Sequence, residues 1–233
     1  MATKDELLLE KRRYGLEETI SPEELEKLSL GYPIQKIMGY IESDNIKIKL
    51  DRKVLIPRYE TMELVDIIKN NYLKNNIKVL DICCGSGYIG LALKKHNPSI
   101  EVYASDIDEE SILSTQENAI LNNLKINIYK SDLFEKIPKI KFDLIISNPP
   151  YLDKSDILDK SVLNFEPHNA LFAKENGFFF YKKILQKYSN FLKKNGYIFF
   201  EINPIHSEIW KKIKNAQILK DINNKNRFVI IKN

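Results

Sequence analysis

Two cysteines, three histidines, one tryptophan and eight glycines in 233 residues leave several protein classes without their raw material. Cys83 and Cys84 are adjacent and cannot close an ordinary structural disulfide. The chain is therefore no disulfide scaffold and suits a reducing compartment, with the cytosol expected. His96, His168 and His206 are scattered and lack the spacing of a metal-ligand set, so no metal is expected. No apolar run approaches the roughly 20 residues that a membrane helix needs, and the opening MATKDELLLEKRR has no signal-peptide core. A net charge of +4 is modest, and pairs such as Lys182-Lys183 and Lys211-Lys212 fall on predicted helices rather than along a basic stripe. No membrane partner and no direct nucleic-acid partner are expected, and a monomer is.

What remains is the composition of a globular domain, 43% hydrophobic and 29% charged, long enough for one full core plus a small appendage. Residues 5–13 and 21–30 read as short helices, the second announced by Ser21 as N-cap, Pro22 in the first helical position and Glu24 three residues after the cap. Gly31-Tyr32-Pro33 is a turn. Ile46, Ile48 and Leu50 alternate with lysines as a half-buried strand does, and Asp44-Asn45 suits a hairpin tip. An amphipathic helix is predicted from about Thr61 to Leu73, with Met62, Val65, Ile68 and Tyr72 facing inward. From residue 77 strands and helices alternate. Strands are predicted near 77–82, 100–105, 126–130, 142–147, 196–202 and 227–232, with a short one near 216–220. Helices are predicted near 87–96, 108–122, 174–194 and 204–215. This pattern predicts an α/β fold whose mostly parallel, seven-stranded sheet ends in an antiparallel C-terminal strand. Three parts are expected: a short helical segment (1–30), a hairpin linker (31–57) and the main domain (58–233).

Asn148-Pro149-Pro150-Tyr151 follows the apolar run 142–147 and so falls at the carboxyl end of a buried strand, where open α/β sheets bind ligands. Two prolines fix φ twice and remove two donors. The rigid edge that is left offers the Asn148 side-chain oxygen and the Pro149 carbonyl as acceptors, with Tyr151 as an aromatic face. Such an edge holds a planar NH2 group by both hydrogens. Asn-Pro alone is also an ordinary turn starter, so the rest of the chain decides.

Val79 to Gly87 joins the first strand of the domain to its helix. Gly85 and Gly87 permit a tight turn and close approach of a ligand, while Cys83, Cys84 and Ser86 keep the space open. Asp81 can accept from an ammonium or from loop amides. The next strand ends in Asp106, about 20 residues on, where an acidic group binds ribose hydroxyls. The full G-x-G-x-x-G pattern and the Lys-Ser/Thr of a P-loop are both missing, which favours a nucleoside ligand without a pyrophosphate. Ser131-Asp132-Leu133-Phe134 can meet an adenine through Asp132 and Leu133, although Leu133 and Phe134 equally suit core packing.

These stretches together resemble class I S-adenosylmethionine-dependent methyltransferases over about residues 52–233. Within that class the chain looks like the protein-(glutamine-N5) methyltransferases of peptide chain release factors. The matching segments are GYPIQKIMGY (31–40), VLIPRYET (54–61), VLDICCGSG (79–87), ASDID (104–108), SDLF (131–134), SNPPYL (147–152), FEPHNAL (165–171) and FEIN (200–203). The resemblance implies S-adenosylmethionine over Cys83–Gly87, Asp106 and Ile107 at its ribose and adenine, and Asp132-Leu133 at the adenine. It also implies a Gly-Gly-Gln glutamine held by Asn148, Pro149 and Tyr151, with Pro150, Pro57, Arg58 and Glu166 shaping the substrate side. Cys83 stands where the family usually has glycine. A cysteine is small enough there if its φ is negative, so weakened cofactor binding is expected at worst. The family's N-terminal helical domain is usually longer than the 30 or so residues found here. Rival readings are glutamine methylation of a ribosomal protein, adenine-N6 methylation of DNA or RNA after base flipping, and a non-catalytic module that keeps the fold.

Overall fold

Residues 2–233 are described by a computed structural model. The elements in chain order are α1 (Lys4–Arg13), α2 (Pro22–Ser29), α3 (Ile34–Met38), β1 (Tyr40–Ser43), β2 (Ile46–Lys49), α4 (Tyr59–Asn71), β3 (Lys78–Ile82), α5 (Tyr88–His96), β4 (Glu101–Asp106), α6 (Glu109–Leu121), β5 (Asn127–Lys130) and β6 (Phe142–Ser147). They continue with α7 (Lys160–Phe165), α8 (His168–Leu171), α9 (Phe179–Lys187), β7 (Leu192–Glu201), α10 (Ser207–Trp210), β8 (Ala216–Lys220) and β9 (Asn226–Lys232).

Seven strands form one sheet in the order β5-β4-β3-β6-β7-β9-β8, parallel from β5 through β7. β9 runs antiparallel to β7 and closes the C-terminal hairpin with β8. The side-chain period of two sorts the strand residues between two cores. Val79, Leu144, Ile146, Phe199 and Ile230 face α4, α5 and the β1–β2 hairpin. Leu80, Ile145, Ile198, Phe200 and Val229 face Tyr181 and Ile184 of α9 and Trp210. Both faces are covered, which is why the strands read as near-continuous apolar runs. Among the described residues no helix is long and apolar enough to cross a membrane.

Two predicted helices are shorter than expected. The segment 174–194 yields only α9 and a 3-10 turn, because Glu175, Asn176 and Gly177 all take positive φ and delay the helix start. Beyond it, β7 begins at Leu192, with Asn195 at positive φ just before Gly196. The segment 204–215 yields a 3-10 turn at Pro204–His206 and the four-residue α10. In the other direction, 34–38 contains a short helix, α3, that alternation did not announce. It ends on Gly39 at φ 78, the left-handed stop that favours glycine. On α4 the buried face is Thr61, Leu64, Val65 and Ile68, while Met62 and Tyr72 pack at its margin.

The hairpin is part of the main core. Asp44 and Asn45 both take positive φ, as a two-residue type I′ turn requires. Ile41, Ile46 and Ile48 are buried with α4 and α5. The free edge of β2 is then completed by side chains of α6, in place of a further strand. Asn122 accepts from the Lys47 N–H at 2.8 Å and donates to the Lys47 carbonyl at 2.7 Å. One turn earlier, Asn118 accepts from the Lys49 N–H at 2.8 Å. Asp44 at the tip reaches Lys69 of α4 and Tyr88 of α5.

Asn122→Ala is expected to leave both Lys47 backbone groups short of a partner and to cost about 1–2 kcal/mol. Asn71→Ala, on an exposed helix end, should stay within about 0.5 kcal/mol. Urea unfolding of the two variants checks this; equal losses would contradict the edge-completion role.

Candidate active site

The chain builds its sheet outward from β3 to β4 and β5, then returns to lay β6 on the other side of β3. Where strand order reverses in this way, the loops leaving adjacent strands diverge and open a crevice. β3 and β6 are in register with Ile82 opposite Ser147, so the loop after each begins at the same height. The Ser147 hydroxyl donates to the Ile82 carbonyl at 2.8 Å and ties the two starts together. The glycine loop and Asn148–Tyr151 are thus neighbours by sheet geometry alone.

A cleft opens there. Cys83, Cys84, Gly85, Ser86, Asp106 and Ile107 line one side, and Pro57, Asn148 and Pro150 the other. The loop's shape is set by backbone chemistry. Gly85 (φ 55) would meet nothing with a Cβ, so its face towards the cleft is open; Gly87 (φ 82) would meet Thr115 at 2.8 Å. Thr115 in turn donates to the Gly85 carbonyl at 3.0 Å, and Asn118 to the Ser86 carbonyl at 3.0 Å. Cys83 sits at φ 61. The expectation of a negative φ is therefore corrected: the position is left-handed, which explains why glycine suits it, and the cysteine carries roughly 1–2 kcal/mol of backbone strain.

Asp106 accepts from the Gly85 N–H and the Asp108 N–H, each at 3.0 Å, and still borders the cleft. Burial pushes its carboxyl up, and those two donors hold it down. Asp81 lies beneath the loop, fully buried, with one oxygen taking the Gly90 N–H at 3.1 Å and the other without a partner. Burial, helped by the charge of Asp106, pushes it up to about 7. Asp132 and Leu133 follow β5 outside the lining of the cleft, and Leu133 is buried in the core.

Asn148 also borders a second, mostly apolar pocket, with Pro149, Tyr151, Arg58, Leu158 and Leu171. It is thus part of the wall between two cavities. Its NH2 group faces inward, donating to Glu201 Oε2 at 2.9 Å and Thr61 Oγ1 at 3.1 Å. Thr61 donates to the same Glu201 oxygen at 2.6 Å, and the Tyr151 hydroxyl donates to Glu201 Oε1 at 2.9 Å. The Asn148 amino group thus has two acceptors, and Oδ1 has no protein partner among the described residues. Burial raises the Glu201 carboxyl, opposed by Thr61 and Tyr151. The tetrapeptide's rear is equally fixed. Leu152 pairs with 171–173 through two backbone bonds, and a Cβ on Gly177 would lie 2.1 Å from the Tyr151 carbonyl oxygen.

Pro57 borders the first cleft and Arg58 the second. Arg58 is held by Glu166, which is buried, at 2.7 Å; the other Glu166 oxygen accepts from the Ile56 N–H. Phe165 packs against Tyr32 with the rings tilted and their centroids 3.9 Å apart, so the segments around 32, 56 and 166 form one wall. Glu201, Thr61 and Gly177 hold this site together, and reading the sequence did not single them out. Among the described residues no three His, Cys, Asp or Glu side chains gather as a metal site.

The methyltransferase small domain profile matches residues 61–232. A release factor glutamine methyltransferase of Streptococcus pneumoniae is 40% identical over 215 residues, covering 88% of this chain and 77% of that protein. The same enzyme of Lactococcus lactis is 38% identical over 88% of this chain and 79% of its own. Among solved structures, a methyltransferase of Pyrococcus furiosus matches with TM-score 0.59 at 17% identity, over 80% and 88% of the two chains. A T. thermophilus 16S rRNA methyltransferase, solved with AdoMet and guanosine, matches with TM-score 0.58 at 18% identity, over 83% of this chain and 49% of that one. At such identities the structures speak for the fold alone.

Gly177→Ala combines a forbidden φ with a clash on Tyr151, whereas Gly15→Ala (φ 64) meets nothing within 4 Å. Gly15→Ala should cost about 1 kcal/mol, and Gly177→Ala at least about 2 kcal/mol more, measured by urea unfolding. A second expectation concerns pH. Asp81 binds its proton more tightly folded (about 7) than at the ordinary value of 3.8. Its contribution to stability is therefore complete below about pH 4 and is lost as pH rises to about 7. Asp81→Asn should flatten the stability–pH curve across that window; an unchanged curve would remove Asp81 as its source.

Proposed function

The chain belongs to the release factor glutamine methyltransferase family, and we propose that it methylates the side-chain amide nitrogen of the Gly-Gly-Gln glutamine of peptide chain release factors, using S-adenosylmethionine. One observation carries the reading: Asn148 stands in the wall between two clefts with its amino group tied back and its oxygen free. A methyl donor on one side and an amide on the other would meet at that residue.

The first cleft suits the cofactor. Its loop is open above Gly85, an acidic side chain borders it at Asp106, and the exposed face of Ile107 offers apolar surface to a purine. In this reading Asp106 accepts from ribose hydroxyls, the backbone of Cys83, Cys84, Ser86 and Gly87 cradles the amino-acid portion, and the buried Asp81 supports that loop. Asp132, in the same row of strand-end loops, accepts from the adenine amino group with Leu133 held in the core behind it. Bound there, S-adenosylmethionine supplies a methyl group activated by a cationic sulfur.

The rest is the work of the chain's own residues. An amide nitrogen is a weak nucleophile because its lone pair is delocalised. Asn148 Oδ1 and the Pro149 carbonyl accept its two hydrogens, placing partial negative charge where positive charge grows during attack. Pro149 and Pro150 make that edge rigid, so alignment costs little when the reaction occurs. The proton leaves after transfer, and no side chain need act as a strong base. Tyr151 and Pro57 confine the glutamine, while Arg58, braced by Glu166, faces the substrate loop from the second pocket.

Purified protein should transfer label from S-adenosylmethionine to a release factor and not to its Gly-Gly-Ala variant. Label on ribosomal protein or DNA instead would keep the chemistry and overturn the substrate. Asn148→Ala should lower turnover at least about 100-fold and leave cofactor affinity within a few-fold; loss of cofactor binding by calorimetry would contradict this division of roles.

A further inference from the structure

A free side-chain amide can rotate by half a turn and exchange its oxygen for its nitrogen at almost no cost. At Asn148 that rotation would be fatal to the proposed reaction, since an NH2 pointing at the target amide offers donors to donors. Something must forbid it, and the groups behind Asn148 are of the right kind. Glu201 is 1% exposed and ends β7, the strand beside β6; Thr61 is 4% exposed and lies in the first turn of α4. Both accept from the Asn148 amino group, Glu201 Oε2 at 2.9 Å and Thr61 Oγ1 at 3.1 Å. Because Thr61 gives its own proton to Glu201 at 2.6 Å, its oxygen has only lone pairs left for Asn148. The three side chains form a closed ring of hydrogen bonds.

We propose that Glu201, seconded by Thr61, is the positioning residue of the active site: it locks the Asn148 amide with its oxygen towards the substrate. Rotating the amide would set its oxygen against the Glu201 carboxylate, and the single Thr61 proton could serve only one of those two oxygens. The same carboxylate orients the other half of the tetrapeptide, because its second oxygen accepts from the Tyr151 hydroxyl at 2.9 Å. Glu201 itself makes no contact with the reacting atoms in this scheme. It acts through Asn148, and the inference rests on the reading that Asn148 accepts from the target amide.

The test is a double-mutant cycle on single-turnover methylation of a release factor, with cofactor affinity followed by calorimetry. Glu201→Ala should lower the rate about as much as Asn148→Ala, roughly 100-fold, with cofactor affinity within three-fold. The double variant should be at most a few-fold slower than Asn148→Ala alone, because a lock has no value once its bolt is gone. Glu201→Gln keeps an acceptor for the Asn148 amide and should recover at least 10-fold of the loss. Losses that multiply in the double variant, full activity in Glu201→Ala, or no rescue by Gln would each overturn the lock. Should Glu201→Ala fail to fold, Thr61→Val takes its place in the cycle.

A second measurement needs no substrate. In the NMR spectrum of the wild-type protein, the Asn148 side-chain NH2 pair, assigned by its disappearance in Asn148→Ala, should exchange slowly with solvent. It should exchange rapidly in Thr61→Val and Glu201→Ala. A rapidly exchanging wild-type pair would overturn the lock whatever the substrate proves to be. Wild-type protein that leaves the release factor unlabelled yet shows the protected pair would overturn the substrate and keep the lock.

Discussion

Everything at the active site depends on one topological constraint: β6 returns to lie beside β3 after the chain has gone outward through β4 and β5. Parallel neighbours send their loops out from the same edge, and the register of Ile82 with Ser147 sets both loops at one height. Residues 65 apart in sequence become adjacent without either loop having to find the other. What the loops do then follows from their own composition. The first is small and turning, so a ligand can approach its backbone. The second is proline-stiffened, so its acceptors stay where the sheet put them.

The hairpin and α6 extend that rigidity to the front of the cleft. Asn118 takes part in both, accepting from Lys49 of β2 and donating to the Ser86 carbonyl of the glycine loop. Tyr88, just past the same loop, reaches Asp44 at the hairpin tip. A segment that sequence reading treats as a linker is in this way bonded to the cofactor loop from two directions. The face it presents, from Pro57 to Arg58, is braced by Glu166 and by the Tyr32–Phe165 pair. The walls of both clefts therefore derive their positions from the same rigid body as the sheet.

What could be read in the sequence was whatever depends on neighbours in the chain. The sheet strands, the Asp44-Asn45 turn, the glycine loop and the place of Asn148 at the end of β6 all follow from periodicity or from local backbone chemistry. Three kinds of feature did not. Helix length was overestimated at 174–194 and 204–215, where apolar content continues but Asn176-Gly177 at positive φ and short 3-10 turns break the helix. The sign of φ at Cys83 could not be inferred, since a cysteine tolerates a left-handed turn only when the surrounding strands over-determine it. Glu201 and Thr61 were invisible because their meaning lies in a contact spanning 140 positions. Glu201 in FEIN resembles any polar residue at a strand end until the fold puts it behind Asn148.

A buried carboxylate is an expensive way to hold an amide, and its cost says something about what the site must do. Removing a carboxylate from water is unfavourable by several kcal/mol unless donors replace the lost hydration. Glu201 has three, from Thr61, Asn148 and Tyr151, and Arg227 nearby opposes the rise that burial imposes on its pKa. A neutral acceptor such as glutamine could orient Asn148 at less cost. A charge adds a field, and its direction is favourable here. Negative charge behind Asn148 draws the amide's hydrogens inward and leaves its oxygen richer in electron density, which in the proposed reaction would face positive charge passing from sulfur to nitrogen. In a dry site that field is far less screened than in water. The carboxylate that fixes the geometry of the acceptor therefore also strengthens it, and a single strand-end residue serves both ends through one hydrogen bond.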